Sequence, residues 1–210
     1  MAPLTTKTLV QAAEELAARD KTLAWILTTY GAPPMWARPT GFPTLVHIIL
    51  EQQVSLKSAK AMLLRLQSAI DPFRPERFVE LGEVHLRSLG VTRQKSAYLL
   101  HLSESILNNE LSLTRLSRMS DDLVRMELTR IKGIGSWSAD VYLLMAMRRA
   151  DIWPAGDLAL AVAAKDLLSL ERKPTPDELE TIAERWRPYR AVAARMLWQH
   201  YLGKKSFRDG

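Results

Sequence analysis

The chain has 210 residues, of which 47% are hydrophobic, so it is long enough to bury one or two compact cores. It contains no cysteine, which excludes disulfides, thiolate zinc sites and cysteine-ligated iron–sulfur clusters. The net charge of +6 and the pI of about 9.7 favour a polyanionic partner. No apolar run predicts a membrane span, and acidic residues interrupt the N-terminal segment where a signal peptide would be apolar. We therefore expect a cytoplasmic protein with no membrane partner.

The first elements of the chain are helical. Apolar residues recur at helical spacing over residues 8–30 and predict one or two helices, with Asp20 as the N-cap of the second. Residues 31–43 are rich in Pro and Gly and therefore predict a loop.

Residues 44–69 again follow a helical pattern, but polar side chains interrupt it at Gln52 and Gln53. Two interpretations remain open. Either two helices are joined by a tight Gln-Gln turn, with Ser55 capping the second, or one amphipathic helix exposes its glutamines.

The remaining predicted helices are bounded by Pro, Gly, Asn or Asp. Their ranges are 75–81, 83–88, 93–108, 113–118, 120–129, 136–149, 158–170, 175–186 and 188–202. Gly203, followed by Lys204 and Lys205, predicts a C-cap for the last of them. No segment alternates with a period of two, so the predicted fold class is all-α.

The positive charge is concentrated in two segments. Residues 85–150 hold ten Lys and Arg against six Asp and Glu, and residues 182–210 hold seven against two. We expect a DNA-binding face in these segments, although a solvated basic surface without a partner also fits the charge alone.

A glycine hairpin, Ile131-Lys132-Gly133-Ile134-Gly135, lies between two predicted helices. Its glycines permit a tight turn and let backbone N–H groups approach a phosphate, and the next helix begins with its positive dipole end. No strand precedes the hairpin and no GK[ST] follows it, which argues against a dinucleotide site and excludes a P-loop.

A second run, Trp153-Pro154-Ala155-Gly156-Asp157, presents a carboxylate just before an apolar helical run. Asp157 is therefore a candidate catalytic residue, expected near a helix N-terminus where its ionised form is favoured. The alternative is that Asp157 acts only as an N-cap.

Four motifs in this order and spacing resemble the helix-hairpin-helix (HhH-GPD) DNA glycosylases, and within them the DNA-3-methyladenine glycosylase II branch. They are the run from Ile49 to Ser55, the glycine hairpin, the run from Trp153 to Asp157, and Arg185 to Arg190 leading to Trp198. The resemblance covers roughly residues 36–202. It implies two helical subdomains, residues 36–143 and residues 1–35 with 144–210, and an active-site cleft between them.

The resemblance implies a monofunctional DNA glycosylase that excises alkylated purines, of the 3-methyladenine and 7-methylguanine type, by base flipping and hydrolysis in base excision repair. Asp157 matches the catalytic aspartate, and Trp137 and Trp198 match aromatic residues of the base pocket. Trp137 stands where bifunctional relatives carry a lysine nucleophile, so no AP lyase activity is expected. Val141 and Leu158 replace further aromatic residues, which implies a less aromatic pocket.

Other residues match DNA-contact positions of the family. Gln53 matches the residue that wedges into the duplex beside the flipped nucleotide, and Gln52 supports it. Contacts from the hairpin are expected at Lys132, Gly133, Gly135 and Ser136. The backbone carbonyls of Thr129, Ile131 and Ile134 correspond to a monovalent cation site, for Na⁺ or K⁺, and no other cofactor is expected.

The implied partner is double-stranded DNA with a damaged base, bound by a nucleoid-associated monomer. Trp36 and Arg38, in the early loop, are candidates for the mouth of the base pocket.

Two other functions remain open: a glycosylase for hypoxanthine, uracil or a mismatched base, and a non-catalytic helix-hairpin-helix DNA-binding protein. Only a catalytic function requires the carboxylate of Asp157.

Overall fold

The computed structural model describes the backbone of residues 2–208 and the side chains of residues 2–204. Every regular element in these residues is helical, which confirms the all-α prediction. The α-helices are Thr6–Arg19 (α1), Lys21–Tyr30 (α2), Phe42–Glu51 (α3), Leu56–Ala69 (α4), Pro75–Ser88 (α5), Arg93–Leu107 (α6), Leu113–Leu116 (α7), Asp121–Thr129 (α8), Ser136–Val141 (α9), Leu158–Leu167 (α10), Pro176–Ala183 (α11) and Arg190–Arg208 (α12). A π-helical turn, Tyr142–Ala146, and a 3₁₀ turn, Glu184–Trp186, complete them. No helix within the described range has the length and apolar character of a membrane span.

The chain forms two compact units. We call Arg38–Tyr142 the central unit, and Met1–Ala37 together with Leu143–Gly210 the terminal unit. The predicted boundaries fell after residues 35 and 143, and those of the structure fall after residues 37 and 142.

The central unit is built around α3, which packs against α4, α6 and α9, while α5 packs on α6 and α8 on α9. Its core consists of apolar side chains that these helices bury completely, such as Ile49 of α3, Leu66 of α4, Phe78 of α5 and Leu99 of α6. This apolar stripe on each helix is what the helical spacing in the sequence encodes.

The Gln-Gln turn separates α3 from α4, so the two-helix interpretation is confirmed and the single amphipathic helix is wrong. The Ser55 hydroxyl accepts the Ser58 N–H at 3.1 Å and caps α4, as predicted. The predicted helices over 75–81 and 83–88 are the two parts of α5, which breaks at Gly82 with φ 68°.

The predicted helix over residues 136–149 is wrong beyond Val141, because the chain widens there into the π-helical turn. Arg148, two residues beyond this turn, has a left-handed φ of 53°. The next N–H, that of Arg149, bonds to the Leu143 carbonyl at 3.0 Å, six residues back. A Schellman ending has a bond that spans five residues, so this one is wider by one residue, as suits a π-helical turn. Glycine usually takes the left-handed position in such endings, so the sequence carried no signal for it.

In the terminal unit, α12 packs against α1, α2 and α10. Residues 191–194 of α12 are fully buried and form the centre of this core. Asp20 caps α2, as predicted, by accepting the N–H groups of Thr22 and Leu23. Its other oxygen accepts the indole N–H of Trp186 at 2.8 Å, which fixes the 3₁₀ turn after α11.

The C-cap predicted at Gly203 is wrong, because α12 continues past it. A Cβ at Gly203 would lie 2.8 Å from Cε1 of Tyr30. The glycine therefore allows close packing inside the helix and does not end it. The predicted helix over 158–170 is also shorter in the structure, since α10 ends at Leu167.

Candidate active site

Asp157 lies in the terminal unit as the N-cap of α10. Its N–H bonds to the Pro154 carbonyl at 2.9 Å, so the loop before it turns back on itself. The carboxylate oxygen Oδ1 accepts the Leu160 N–H at 2.9 Å, as an N-cap does. The same oxygen accepts the indole N–H of Trp198 at 3.0 Å, a bond that capping does not require. These two donors hold the half-buried carboxylate in one orientation.

Trp198 is almost fully buried, with 8% of its surface exposed. Its place in the wall of a base pocket stays a prediction, and the structure adds a contact that orients Asp157. Trp36, from the early loop, packs edge-on against Trp198 with the ring centroids 6.4 Å apart at an angle of 67°. Trp36 is half-buried and is therefore more exposed than Trp198.

The backbone of Trp36 has a φ of 46°, a left-handed conformation that large side chains rarely adopt. The carbonyl before it, that of Met35, accepts a hydrogen bond from Nε of Arg195 at 2.9 Å. The buried guanidinium also donates to the carbonyls of Ala191 and Leu144. Burial lowers the pKa of Arg195 to about 10. The sequence analysis missed Arg195, and the available signal was a lone Arg inside the apolar run of α12.

In the central unit, Gln53 is exposed and has a left-handed φ of 57°. The amide of Gln52 donates to the Gly133 carbonyl at 2.8 Å and to the Ser138 hydroxyl at 3.0 Å. Gln52 therefore ties the Gln-Gln turn to the glycine hairpin, while Gln53 projects from it.

Arg38 makes a bidentate ion pair with Glu51, at 2.6 and 2.8 Å. Glu51 is the last residue of α3 and its side chain is 7% exposed. This pair gives Arg38 a structural role within the central unit, and its place at a pocket mouth stays a prediction.

The two hairpin glycines differ in what requires them. Gly133 has a φ of 93°, and a Cβ there would lie 2.2 Å from Cγ of Tyr98, so the fold itself demands glycine. Gly135 has φ −90° and nothing within 4 Å of an added Cβ. Lys132 and Ser136 beside them are exposed. The side of the hairpin that carries Gly135 is therefore open.

Trp137 lies half-buried in the first turn of α9. The helix is held to α8 by Arg125, whose Nε donates to the buried carboxylate of Asp140 at 2.6 Å. Val141, where the resemblance expects an aromatic residue, is 2% exposed and belongs to the core of the central unit. Leu158, the other such position, is 64% exposed immediately after the candidate catalytic residue.

The carbonyls proposed for a cation belong to the end of α8 and to the hairpin. The Ile131 carbonyl accepts the Ile134 N–H at 3.0 Å and retains a second lone pair. Neutral carbonyl oxygens are the donor type that binds Na⁺ or K⁺, so the donor set of Thr129, Ile131 and Ile134 fits a monovalent cation. Among the side chains of residues 2–204, no group of three from His, Cys, Asp or Glu could hold a metal ion.

Cations of the basic C-terminal segment are engaged within the terminal unit. Arg190 and Arg187 both bind Asp151, at 2.9 and 2.6 Å. Lys204 binds Asp166 at 2.5 Å. The charge of these residues is therefore matched internally, and counting cations overestimates what they offer to a polyanion. The side chains of Lys205 and Arg208 lie outside the described residues.

In the central unit, by contrast, some exposed cations have no hydrogen-bond or ion-pair partner among the described residues. They are the side chains of Lys57, Lys60, Arg115, Arg118 and Lys132.

Residues 46–188 match the family of HhH-GPD superfamily base excision DNA repair proteins. The chain belongs to this superfamily. The match contains the Gln-Gln turn, the hairpin and Asp157, and the predicted family is confirmed.

Curated relatives and solved structures agree with this membership. The Bacillus subtilis protein named DNA-3-methyladenine glycosylase is 28% identical over 173 residues, covering 77% of this chain and 57% of that protein. A DNA-3-methyladenine glycosidase structure from Bacillus halodurans is 29% identical with a TM-score of 0.77, covering 90% and 88% of the two chains. The structure of the Schizosaccharomyces pombe 3-methyladenine DNA glycosylase Mag1 with abasic DNA matches with a TM-score of 0.83 at 24% identity. The match covers 90% of this chain and 95% of that chain, and it supports the fold.

The chain covers only part of the length of its curated relatives. The aligned regions span 64%, 59% and 57% of the lengths of three of them.

Proposed function

We propose that the protein is a monofunctional DNA glycosylase that hydrolyses the N-glycosidic bond of alkylated purines in double-stranded DNA. Membership of a base excision repair superfamily supports this, as do relatives named DNA-3-methyladenine glycosylase. The observation that carries the proposal is the carboxylate of Asp157, oriented by an indole N–H that helix capping does not need. A DNA-binding module that does not catalyse a reaction would not need a carboxylate oriented in this way.

In the proposed reaction, the N-glycosidic bond breaks and its electron pair leaves with the base. The sugar carbon C1′ becomes positively charged, and the negative charge of Asp157 stabilises it. A water molecule then adds to C1′ and loses a proton, with Asp157 orienting or accepting from that water. An alkylated purine that starts as a cation leaves as a neutral base, and the strand keeps an abasic site.

Aromatic rings would select for the cationic base. An electron-rich ring face attracts a flat cation and stacks on it. The family pattern expects such rings at Trp137 and at Trp198. Trp36 is a further candidate, because it packs against Trp198 and is more exposed than Trp198.

The hairpin would hold the DNA backbone. Gly135 is open to solvent, and its backbone conformation does not require glycine. Its lack of a side chain would therefore let a DNA phosphate approach the backbone closely. Lys132 is exposed beside it and can contact a phosphate. A Na⁺ or K⁺ ion on the carbonyls of Thr129, Ile131 and Ile134 would add positive charge facing that phosphate.

Gln53 would fill the space that the flipped nucleotide leaves. It is exposed, it projects from a tight turn, and its amide can hydrogen-bond the unpaired base. We also propose that the protein acts as a monomer on chromosomal DNA in the cytoplasm.

The absence of a lyase step is testable in isolation. Trp137 has no amine, so no Schiff base can form with the sugar at this position. Borohydride treatment of the protein on abasic DNA is expected to give no covalent adduct. A strong adduct would contradict the monofunctional proposal.

A panel of duplexes tests the substrate class. Each duplex carries one lesion: 7-methylguanine, a stable 3-methyladenine analogue, hypoxanthine, uracil or a mismatched base. Free base is measured after incubation with the protein. Release confined to the alkylated purines is the expected result, release of hypoxanthine or uracil alone would replace the substrate class, and binding without any release would identify a non-catalytic protein.

A further inference from the structure

Lys95 lies in the first turn of α6, and its side chain reaches the C-terminal end of α3. Its Nζ donates to the Leu50 carbonyl at 2.7 Å and to the Gln52 carbonyl at 2.9 Å. Carbonyls at the end of a helix carry partial negative charge, so an ammonium group is favourable there. Through these two bonds, Lys95 holds the backbone on which the Gln-Gln turn begins.

The position is otherwise unfavourable for a lysine. The first turn of α6 is the positive end of that helix, which disfavours a cation. Lys95 is also half-buried, and burial lowers its pKa. An apolar residue of the same length would avoid both penalties, so packing alone does not explain the charge.

The turn itself is weakly held by its own backbone. The Gln52 N–H bonds to the Ile49 carbonyl at 3.4 Å, and the Val54 N–H bonds to the Glu51 carbonyl at 3.5 Å. Both distances are at the long limit for hydrogen bonds. Gln53, between them, has a left-handed φ of 57°, which is unfavourable for a residue with a side chain. Support from outside the turn must therefore keep this conformation.

We propose that Lys95 is a positioning residue for the Gln53 wedge, holding the Gln-Gln turn so that Gln53 projects from the surface. The proposal rests on the proposed function, since a wedge matters only where a base is flipped out of a duplex. The amide of Gln52 is the second anchor, because it bonds to the Gly133 carbonyl and joins the turn to the hairpin. Loss of the ammonium group weakens duplex opening and leaves the chemistry at Asp157 intact.

The experiment compares one lesion in two contexts. Single-turnover release of 7-methylguanine is measured from a duplex and from the same oligonucleotide as a single strand. Lys95→Met keeps an unbranched side chain only one atom shorter and removes the charge and the donors. It is expected to slow release from the duplex about tenfold, because hydrogen bonds from a charged donor are lost, and to change the single-strand rate less than about twofold. Lys7→Met, which removes an exposed lysine on α1, is the matched control and should leave both rates unchanged.

Restoring the charge should restore the duplex rate. Because the natural chain contains no cysteine, Lys95→Cys can be alkylated selectively with 2-bromoethylamine, which rebuilds an ammonium group at the length of lysine. If Lys95→Met does not fold, Lys95→Cys is alkylated in denaturant and refolded before the same measurement. The expected result is a duplex rate within about threefold of wild type after alkylation of the cysteine variant.

A fluorescence measurement reports on insertion of Gln53 into the duplex without depending on base release. The base opposite the lesion is replaced by 2-aminopurine, whose fluorescence rises when its stacking is disturbed. Lys95→Met should bind the duplex with a smaller rise than wild type or Lys7→Met.

Equal loss on duplex and single strand, or an unchanged duplex rate, would overturn the positioning role while the proposed function stands. A wild-type protein that releases no base from either substrate would overturn the proposed function and this inference with it.

Discussion

In the central unit some candidate DNA-contact residues are exposed to solvent, whereas in the terminal unit the candidate catalytic carboxylate is half-buried and hydrogen-bonded. Gln53 and Gly135 are exposed, and the bonds that support them come from neighbouring residues. Asp157 is half-buried, and its own Oδ1 takes two hydrogen bonds. If the proposed function holds, this difference means that binding of DNA and cleavage of the glycosidic bond depend on separate residues. Variants in one unit should change binding or base flipping, and variants in the other should change the chemical step.

Removal of the charge at Asp157 should have the largest effect. Asn is as good an N-cap as Asp, so Asp157→Asn keeps the start of α10 and removes only the negative charge. We expect single-turnover release of 7-methylguanine to fall about 1,000-fold or more, since charge at C1′ is no longer stabilised. The affinity for lesion-containing duplex, measured by fluorescence anisotropy, should stay the same or increase. Full activity in the variant would show that Asp157 is only a cap.

The two hairpin glycines should separate stability from binding. Gly133→Ala places a Cβ against the Tyr98 ring at a positive φ, and we expect it to lower the free energy of unfolding by roughly 2–4 kcal/mol in urea titrations. Gly135→Ala meets no neighbour, so stability should change by less than about 0.5 kcal/mol.

The same alanine at Gly135 should weaken duplex affinity about tenfold, because it obstructs one backbone-to-phosphate contact. Wild-type affinity in a stable Gly135→Ala protein would mean that the open side of the hairpin does not face DNA.

Trp198→Phe tests how the carboxylate is oriented. Phenylalanine keeps an aromatic ring in the packing and removes the N–H that Asp157 accepts. We expect base release to slow about 10-fold to 100-fold with unchanged duplex affinity, since one hydrogen bond to a charged group is lost. Trp25→Phe, at an exposed position of the same unit, is the control and should keep the wild-type rate. A drop in affinity without a drop in rate would place Trp198 in binding and not in chemistry.

Gln53→Ala should give the smallest change. Its loss removes the group that fills the duplex gap, and we expect release from a duplex to slow about threefold to tenfold, because flipping costs a few kcal/mol that the wedge partly offsets. Release from single strands should not change, since no gap has to be filled. A similar loss in both contexts would argue against the wedge.

The sequence predicts features that depend on neighbours along the chain. Ser55, Asp20 and Asp157 are caps in the structure because capping joins a side chain to N–H groups two or three residues away. The glycine hairpin is likewise a local pattern. Helix ends fail where the deciding contact is distant, as at Gly203, whose packing against Tyr30 leaves no sign in the sequence around it.

Contacts that complete the candidate site were not predictable for the same reason. Trp198 reaches Asp157 across 41 residues, and Lys95 reaches the Gln-Gln turn across 43 and 45. Arg195 supports the Met35 carbonyl across 160 residues. Each contact joins a polar group to particular acceptor atoms, and such a contact leaves no periodic pattern in the sequence. The resemblance indicated the candidate residues, and the structure showed which contacts hold some of them.

The most direct test of the central claim is product analysis in ¹⁸O-labelled water. A duplex with one 7-methylguanine is incubated with the protein, and the free base and the strand are both weighed by mass spectrometry. Hydrolysis at C1′ predicts free 7-methylguanine and an unbroken strand whose abasic site carries one ¹⁸O atom, trapped by immediate reduction. A cut strand would contradict the monofunctional mechanism, and an intact duplex with no free base would contradict the glycosylase function itself.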